Sequence, residues 1–278
     1  MRWVIGFLIT LALAPRAFAG DLDVLGLGAP PAAPWIDGQP VGSNWMGFYL
    51  GGQFSYSNAG ADFSQSTQAP IAYALRQTTL ESQFSPSTWP VLGSASHSTP
   101  GFEGFLGYNA QFEHLVFGVE GTYDQASLSL VAPNSPISRV TPADSAGFSY
   151  LVNITGSGTV SSLDFGTLRG RAGWTIGNFL PYGFAGFALG HGNLNVAATV
   201  SGQQCNSSVP PLCTPFSFAG TNGKNGEWFY GFTVGGGLDV AITPNFFLRA
   251  EYEFTQFAPV STVQVSINTG RVGAGFKF

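Results

Sequence analysis

The chain alternates apolar and polar side chains with a period of two from residue 45 to its last residue, Phe278. This period is typical of β-strands whose two faces meet different surroundings. In segment 246–257, for example, Phe246 and Leu248 oppose Arg249 and Glu251. Eight segments of 11 to 16 residues carry the pattern: 45–56, 101–111, 115–126, 161–176, 180–190, 227–242, 246–257 and 263–278. Each is long enough for a tilted membrane strand of about 9–11 residues.

Charged residues test the alternation, because they should share one face of any strand that holds several of them. They do so for Arg169 and Arg171, and for Arg271 and Lys277. Asp164 is the exception, and it lies near the loop end of its segment, where headgroups or water could solvate it. Segment 180–190 is apolar and rich in glycine on both faces, so the direction of its side chains stays ambiguous.

The connections between the segments alternate in length. The gaps after the first, third and fifth segments are long, and they cover residues 57–100, 127–160 and 191–226. The gaps after the second, fourth and sixth segments are short turns at 112–114, 177–179 and 243–245, and only the short last loop, 258–262, departs from the rule. Long extracellular loops and short periplasmic turns are typical of bacterial barrels. The pattern therefore predicts an all-β fold, a transmembrane antiparallel up-and-down barrel of eight strands.

Composition indicates what the apolar faces meet. Only 9% of the residues are charged, against about 25% in a typical soluble domain. Much of the exterior is therefore expected to face something other than water, although a glycine-rich soluble β-protein is the alternative. The most apolar stretch, 228–242, contains four glycines and Asp239, which is unlike a membrane helix. A closed barrel is the other way to cross a bilayer, because it pairs every backbone N–H and C=O internally.

The N-terminal residues predict export. Arg2 precedes an apolar run at 4–14, and Ala-Phe-Ala at 17–19 is an A-x-A cleavage site. Residues 1–19 are thus expected to be a cleaved signal peptide, followed by a Pro-rich periplasmic tether at 20–44 and the barrel at 45–278. Cleavage would remove Arg2 and Arg16 and change the net charge from −5 to −7. That balance shows no basic footprint for nucleic acid.

Several short motifs resemble the porin-like outer-membrane immunogenic protein family of alphaproteobacteria. These motifs are NWMGFYLGG at 44–52, VFGVEG at 116–121, GTLRGRAGW at 166–174, FLPY at 179–182, LRAEY at 248–252 and GFKF at 275–278. The resemblance covers the predicted strands and not the long loops. It implies an eight-stranded barrel in the cell outer membrane of a Gram-negative bacterium. It also implies that Phe278 is part of the signal that the barrel-assembly machinery reads during biogenesis.

The polar faces predict a charged barrel interior. Twelve side chains are expected there: Glu103, Glu120, Asp124, Arg169, Arg171, Glu227, Asp239, Arg249, Glu251, Glu253, Arg271 and Lys277. Eight strands leave a lumen about wide enough to be filled by side chains, and buried charges need partners. The favoured interpretation is an ion-pair network that plugs the barrel. The alternative is a narrow ion path lined by the same groups.

Catalysis finds little support in the chain, and no enzyme activity is expected. One type of barrel lipase places a His and a Ser two residues apart, but no Ser follows His97, His114 or His191 at that spacing. The chain also lacks the G-x-S-x-G elbow of α/β-hydrolases. The scattered histidines and two cysteines have no metal-ligand spacing. Neither a metal nor a cofactor is therefore expected.

Cys205 and Cys213 both fall in the predicted loop 191–226. The periplasm is oxidising, so a disulfide that staples this loop is expected. Free reactive thiols are the alternative, and they fit poorly with export.

Three functional hypotheses remain open at the level of sequence. The first is a surface-exposed structural barrel that contributes to envelope integrity, and the second is a narrow porin-like channel. The third is a binding module for host surfaces, or for a small ligand such as haem, carried by loops 57–100, 127–160 and 191–226. Outer-membrane lipid and lipopolysaccharide are the expected partners in every case, and no nucleic acid is expected.

Overall fold

The computed structural model describes residues 35–36, 39–40, 43–208 and 210–278. The predicted signal peptide, 1–19, lies outside the described residues. Within the predicted tether, two short strands, Trp35–Ile36 and Gln39–Pro40, pair with each other in antiparallel fashion. They belong to a unit, Met1–Val41, that is separate from the unit Gly42–Phe278. The boundaries of the signal peptide and of the tether stay predictions.

Eight strands form a closed antiparallel ring within Gly42–Phe278. They are β1 Gly47–Asp62, β2 Ser94–Phe112, β3 Leu115–Val131, β4 Ser149–Trp174, β5 Phe179–Cys205, β6 Cys213–Ala241, β7 Phe246–Phe257 and β8 Gln264–Lys277. Each strand pairs with its sequence neighbour, and β8 pairs with β1 from Gln264↔Asp62 to Lys277↔Tyr49, which closes the ring. The predicted eight-stranded antiparallel barrel is therefore confirmed.

The outer wall of the barrel is a belt of apolar and aromatic side chains. Phe54 on β1 and Phe187 on β5 keep 70% and 78% of their surface exposed. Groups this apolar are stable on a surface only when hydrocarbon rather than water covers it, as in a membrane barrel. The alternation also settles segment 180–190, because Leu180, Tyr182 and Phe184 point inward whereas Phe187 points outward.

Much of the chain predicted as long loops is in fact β-strand. β5 and β6 are 27 and 29 residues long, although about 9–11 residues cross a membrane. Their extensions continue past the apolar belt as a hairpin, which ends where Cys205 and Cys213 form a disulfide. The alternation was hard to recognise there because small or uncharged residues occupy both faces, with Val196 and Val200 inward and Asn195 and Thr199 outward.

The remaining parts of the first two loops also carry structure. Helix α1, Gln68–Leu75, and helix α2, Thr79–Phe84, follow β1, and a short strand Ile137–Val140 pairs with β4. The side chain of Thr78 caps α2 by accepting a hydrogen bond from the backbone N–H of Glu81. No helix in the described part of the chain is long and apolar enough to span a membrane.

The two helices form a cap over the strand extensions, here called the extracellular cap. Ile71, Leu75 and Leu80 of the helices are buried against Val152 and Val200 of β4 and β5. Packing in this small apolar core stabilises the cap, since helices this short are not stable alone. The cap is therefore an ordered part of the protein rather than a set of independent loops.

A carboxylate fastens the second loop beside the cap. Asp144 Oδ1 accepts hydrogen bonds from the backbone N–H groups of Ala146 and Phe148 at 2.9 Å each, and its Oδ2 accepts one from the Tyr150 hydroxyl at 2.7 Å. The bond from the Phe148 N–H, followed by that from the Tyr150 hydroxyl, holds the pKa of Asp144 below its ordinary value. Asp144 thus stays ionised and keeps this turn in place at neutral pH.

Substitution of Leu75 tests whether the cap is a packed unit. Leu75→Ala should leave a cavity and cost about 2–5 kcal/mol of local stability, because Leu75 is fully buried. We expect trypsin to cleave after the adjacent Arg76 faster than in the unsubstituted protein. The barrel should stay folded, as shown by an unchanged heat-dependent shift in its electrophoretic mobility.

Val140→Ala is the matched control, because Val140 lies outside the helices, on the short strand Ile137–Val140, and is 73% exposed. Equal cleavage rates for Leu75→Ala and Val140→Ala would mean that the helices do not pack as described.

Candidate functional site

The charged side chains in the barrel interior are placed there by strand parity and register. In a strand, alternate residues point to the same face, so Arg169 and Arg171 of β4 both point into the lumen. The register then sets Glu120 of β3 directly opposite Arg169, and Asp239 of β6 directly opposite Arg249 of β7. Arg169 and Arg249 are thus placed beside a carboxylate by backbone pairing alone, whereas Arg171 is paired with Gly118 and Phe184 and reaches its carboxylates through the length of its side chain.

Arg169 is the centre of the cluster. Its guanidinium lies 2.7 Å from Glu251 Oε2 and 2.7 Å from Glu253 Oε2, and its Nε donates to Glu120 Oε1 at 2.9 Å. Glu251 and Glu253 belong to β7, which is not a neighbour of β4 in the ring. These ion pairs therefore cross the lumen and connect opposite walls of the barrel.

A second set of ion pairs lies closer to the short turns. Arg249 donates to Glu120 Oε2 at 2.7 Å and to Asp239 Oδ1 at 2.8 Å, and Arg171 reaches Asp239 Oδ2 at 2.7 Å. The Tyr49 hydroxyl donates to Glu120 Oε2 at 2.7 Å. Glu120 is thus shared by three arginines and a tyrosine, which links β1, β3, β4 and β7.

The third set surrounds Arg271 of β8. Its guanidinium lies 2.8 Å from Glu103 Oε2, 2.9 Å from Glu253 Oε2 and 3.9 Å from Asp124 Oδ2. Gln53 of β1 donates to Glu103 at 2.5 Å. Because Glu253 also binds Arg169, this set joins the rest in one continuous network, here called the interior charge network.

Aromatic rings cover the faces of the arginines. The guanidinium of Arg171 lies 3.7 Å above the ring of Tyr182, and that of Arg169 lies 3.9 Å above Phe184. Arg249 lies 4.1 Å above Phe105. A planar guanidinium can stack on a ring while its edge donates hydrogen bonds, so each arginine is enclosed without losing its carboxylate partners.

Ten of the twelve predicted interior charges lie buried in this network. They are Glu103, Glu120, Asp124, Arg169, Arg171, Asp239, Arg249, Glu251, Glu253 and Arg271. All four arginines are at most 4% exposed, so the ion pairs are shielded from water. Such pairs are stable only when nearly every charge has a partner.

Two of the twelve assignments were wrong. Glu227 lies on the strand extension beyond the belt, where its side chain is 36% exposed and pairs with Lys224. Lys277 is the last residue of β8, at the end of the barrel near the short turns, and its ammonium group donates to the backbone carbonyl of Asn44. Both residues lie many positions along their strands from the network. The assignments rested on strand parity, which gives the face of a strand but not the position of a residue along the barrel axis.

The interior is layered along the barrel axis. Nearest the short turns is an aromatic floor that contains Tyr49, Phe105, Tyr182, Phe184 and Phe247. A layer of hydroxyl groups begins within the interior charge network and continues above it. Thr122, between Glu120 and Asp124 on β3, bonds Thr167 at 2.8 Å, and Ser57 bonds Thr269 at 2.9 Å.

An apolar core follows above the hydroxyl layer. It includes Leu163, Phe165, Phe229, Phe257 and Ile267, each at most 2% exposed. The lumen is thus filled by four successive layers of different chemistry.

Sequence reasoning left some of these residues off the list. Tyr49, Gln53 and Tyr182 share the inward face with the charges and complete their hydrogen bonds. The strand parity of Tyr49 and Gln53 could have found them. The facing of Tyr182 could not be read, because it lies in the ambiguous segment 180–190.

Comparisons with known proteins agree on the class of the molecule. A family model described as "Outer membrane protein beta-barrel domain" matches residues 22–278. The chain is 27% identical to the 31 kDa outer-membrane immunogenic protein of Brucella melitensis over 296 aligned positions, which cover 100% of both chains. It is 27% identical to the 25 kDa outer-membrane immunogenic protein of Brucella canis over 184 residues, and there it spans only 63% of the relative's length.

Among solved structures, the chain is similar to Ail, the attachment invasion locus protein of Yersinia pestis, in complex with the heparin analogue sucrose octasulfate. The two are 15% identical, the match covers 84% of this chain and 100% of that chain, and the TM-score is 0.35.

Removal of Arg169 tests the energetic weight of the interior charge network. Arg169→Ala leaves Glu120, Glu251 and Glu253 short of a buried counter-charge, so we expect a loss of about 3–5 kcal/mol in the free energy of unfolding. Urea titration in detergent micelles, followed by tryptophan fluorescence, measures it.

Lys224→Ala is the control, because it breaks the exposed pair with Glu227, and such pairs contribute about 0–1 kcal/mol. A loss below about 1 kcal/mol for Arg169→Ala would contradict the central place given to this residue.

Proposed function

Because the chain belongs to the outer membrane protein β-barrel domain family, we propose that it is a surface-exposed structural barrel with a plugged interior, which contributes to envelope integrity. The resemblance to alphaproteobacterial outer-membrane immunogenic proteins is confirmed by the relatives found in Brucella, and the chain is an outer-membrane protein. Cleavage of its signal peptide and the recognition of Phe278 by the assembly machinery stay predictions.

The observation that carries the proposal is the filling of the lumen. An eight-stranded barrel has an interior about as wide as its side chains, and here large side chains occupy it at every level. Arg169 and Phe229 are each at most 1% exposed. A hydrated ion would need a continuous wet path, which large and fully buried side chains disfavour.

The interior charge network is better suited to holding walls together than to conducting. A channel lining needs charges that face water, so that an ion can exchange hydration for protein contacts and leave again. Here the arginines donate to several carboxylates at once and stack on rings. Their charges are satisfied within the protein, which favours a plug.

The apolar core and the aromatic floor argue against the narrow channel in a second way. Leu163, Phe229 and Phe257 lie above the charges, and Tyr49 and Phe247 lie below them. An ion would therefore have to cross two dehydrated barriers as well as the network. A barrel plugged in this way is expected to contact other molecules only with its outer wall and its extracellular cap.

Single-channel recording tests the proposal. The refolded protein without its first 19 residues, inserted in a planar bilayer, should show no unitary current steps, since every layer of its lumen is filled. Arg169→Ala should also show no current if it folds, because the apolar core and the aromatic floor still fill the lumen. If it does not fold, the cause is the loss of the buried ion pairs.

A wide porin in the same bilayers is the positive control for detection, and protease protection of the inserted barrel shows that it spans the membrane. Steady openings whose ion selectivity changes in Arg169→Ala or Glu251→Ala would overturn the plug and establish the narrow channel instead.

A further inference from the structure

The outer wall of the barrel has a groove of about 880 Å³ that runs across β3 to β6. Its sides are large apolar and aromatic groups, which include Leu168, Phe187, Leu189, Trp228 and Tyr230. It lies within the exposed apolar belt and opens outward rather than into the lumen. Whatever occupies it therefore comes from the membrane, and its buried part is hydrocarbon.

Two polar residues mark the upper rim of the groove. Asp164 of β4 is paired with His191 of β5, and His191 is paired with Trp228 of β6. Asp164 and His191 both line the groove, and the His191 ring lies 5.0 Å from that of Trp228. The rim thus combines a carboxylate, an imidazole and an indole at the edge of the belt.

Strand parity places Asp164 on the outward face of β4 together with Leu168, while Phe165 points inward. The pairing of β4 with β5 shifts register between Ser161 and Asp164, and Ser162 adopts a left-handed φ of 55°. Such bulges re-aim side chains at the rims of barrels. Here the bulge reverses the parity of β4 beyond Asp164, where Val152, Ile154 and Val160 point inward.

The carboxylate of Asp164 is incompletely satisfied. Its Oδ1 atom is buried and has no hydrogen-bond partner among the described residues. A buried acceptor without a donor is costly, and a donor from a bound molecule would remove that cost. Asp164 therefore indicates that the occupant carries an N–H or O–H group next to its hydrocarbon part.

The wall above the rim points to the kind of headgroup. β5 continues for 14 residues from His191 to Cys205, which at the tilt of barrel strands rises about 30 Å. Asn193 and Asn195 of β5, with Thr159 of β4 paired to Asn195, line the outward face of this wall directly above the rim. A phospholipid headgroup layer is only about 5–8 Å thick, whereas a saccharide headgroup is long enough to follow this polar wall.

We propose that the groove is a lipopolysaccharide site. An acyl chain of lipid A lies against Leu168, Phe187 and Tyr230, a sugar hydroxyl or amide N–H donates to Asp164, and the saccharide follows the wall of hydroxyl and amide side chains above. The order along the barrel, from apolar groove to lone acceptor to uncharged polar wall, is the order of groups in that lipid.

Native mass spectrometry of the full barrel in detergent micelles tests the site. Rough lipopolysaccharide, which carries its core oligosaccharide, and phosphatidylethanolamine are titrated separately. The unsubstituted protein should retain one lipopolysaccharide molecule, and Asp164→Ala should weaken its binding about tenfold, because a hydrogen bond to a charged acceptor is lost. Leu168→Trp should also weaken binding, because the indole fills the groove.

Asn268→Ala is the matched control. Asn268 lies on β8 outside the groove, and it accepts a hydrogen bond from the Tyr252 hydroxyl at 2.8 Å. Its substitution should leave the lipopolysaccharide titration unchanged. The heat-dependent electrophoretic shift of each variant shows that it has folded.

Two results would overturn the proposal. One is equal lipopolysaccharide binding by the unsubstituted protein, Asp164→Ala and Leu168→Trp. The other is binding of phosphatidylethanolamine that is as tight and as sensitive to Asp164→Ala, which would make the groove a phospholipid site. Neither result depends on whether the barrel conducts ions.

Discussion

The ion pairs of Arg169 across the lumen are the interaction on which the rest of the structure depends. They join β4 to Glu120 of β3 and to Glu251 and Glu253 of β7, so the walls are held by charge where a soluble protein would use an apolar core. This arrangement is possible because the lumen excludes water and every arginine finds several carboxylates. Removing one partner would leave the others uncompensated, which couples all of these strands.

The inward direction of the charged side chains determines which residues form the outer wall of the barrel. Because side chains alternate along each strand, every inward Arg or Glu is flanked by outward residues, and those are glycine, alanine or larger apolar and aromatic residues. A slip of one residue in register would move the whole charged set into the lipid. The interior charge network and the apolar belt therefore specify the same strand register, and both disfavour a slip of one residue.

A filled lumen moves the contacts of this protein to its outer surfaces. The strand extensions and the extracellular cap, with its own apolar core around Leu75 and Val200, present an ordered and sparsely charged face beyond the membrane. The groove at Asp164 lies where this face meets the belt. In the proposed structural role, the plugged interior contributes rigidity, and contacts with lipid or with other surfaces are made by the wall and the cap.

The sequence by itself determined the number of barrel strands, the inward or outward direction of most side chains, and ten of the buried charges, because a period of two is a local property. It could not settle segment 180–190, where both faces are apolar. Only the tertiary structure decided which carboxylate meets which arginine, since pairing across the lumen depends on how the ring closes. The depth of Glu227 and Lys277 along the barrel and the strands within the predicted loops were likewise decided there, because strand length depends on neighbouring strands rather than on local alternation.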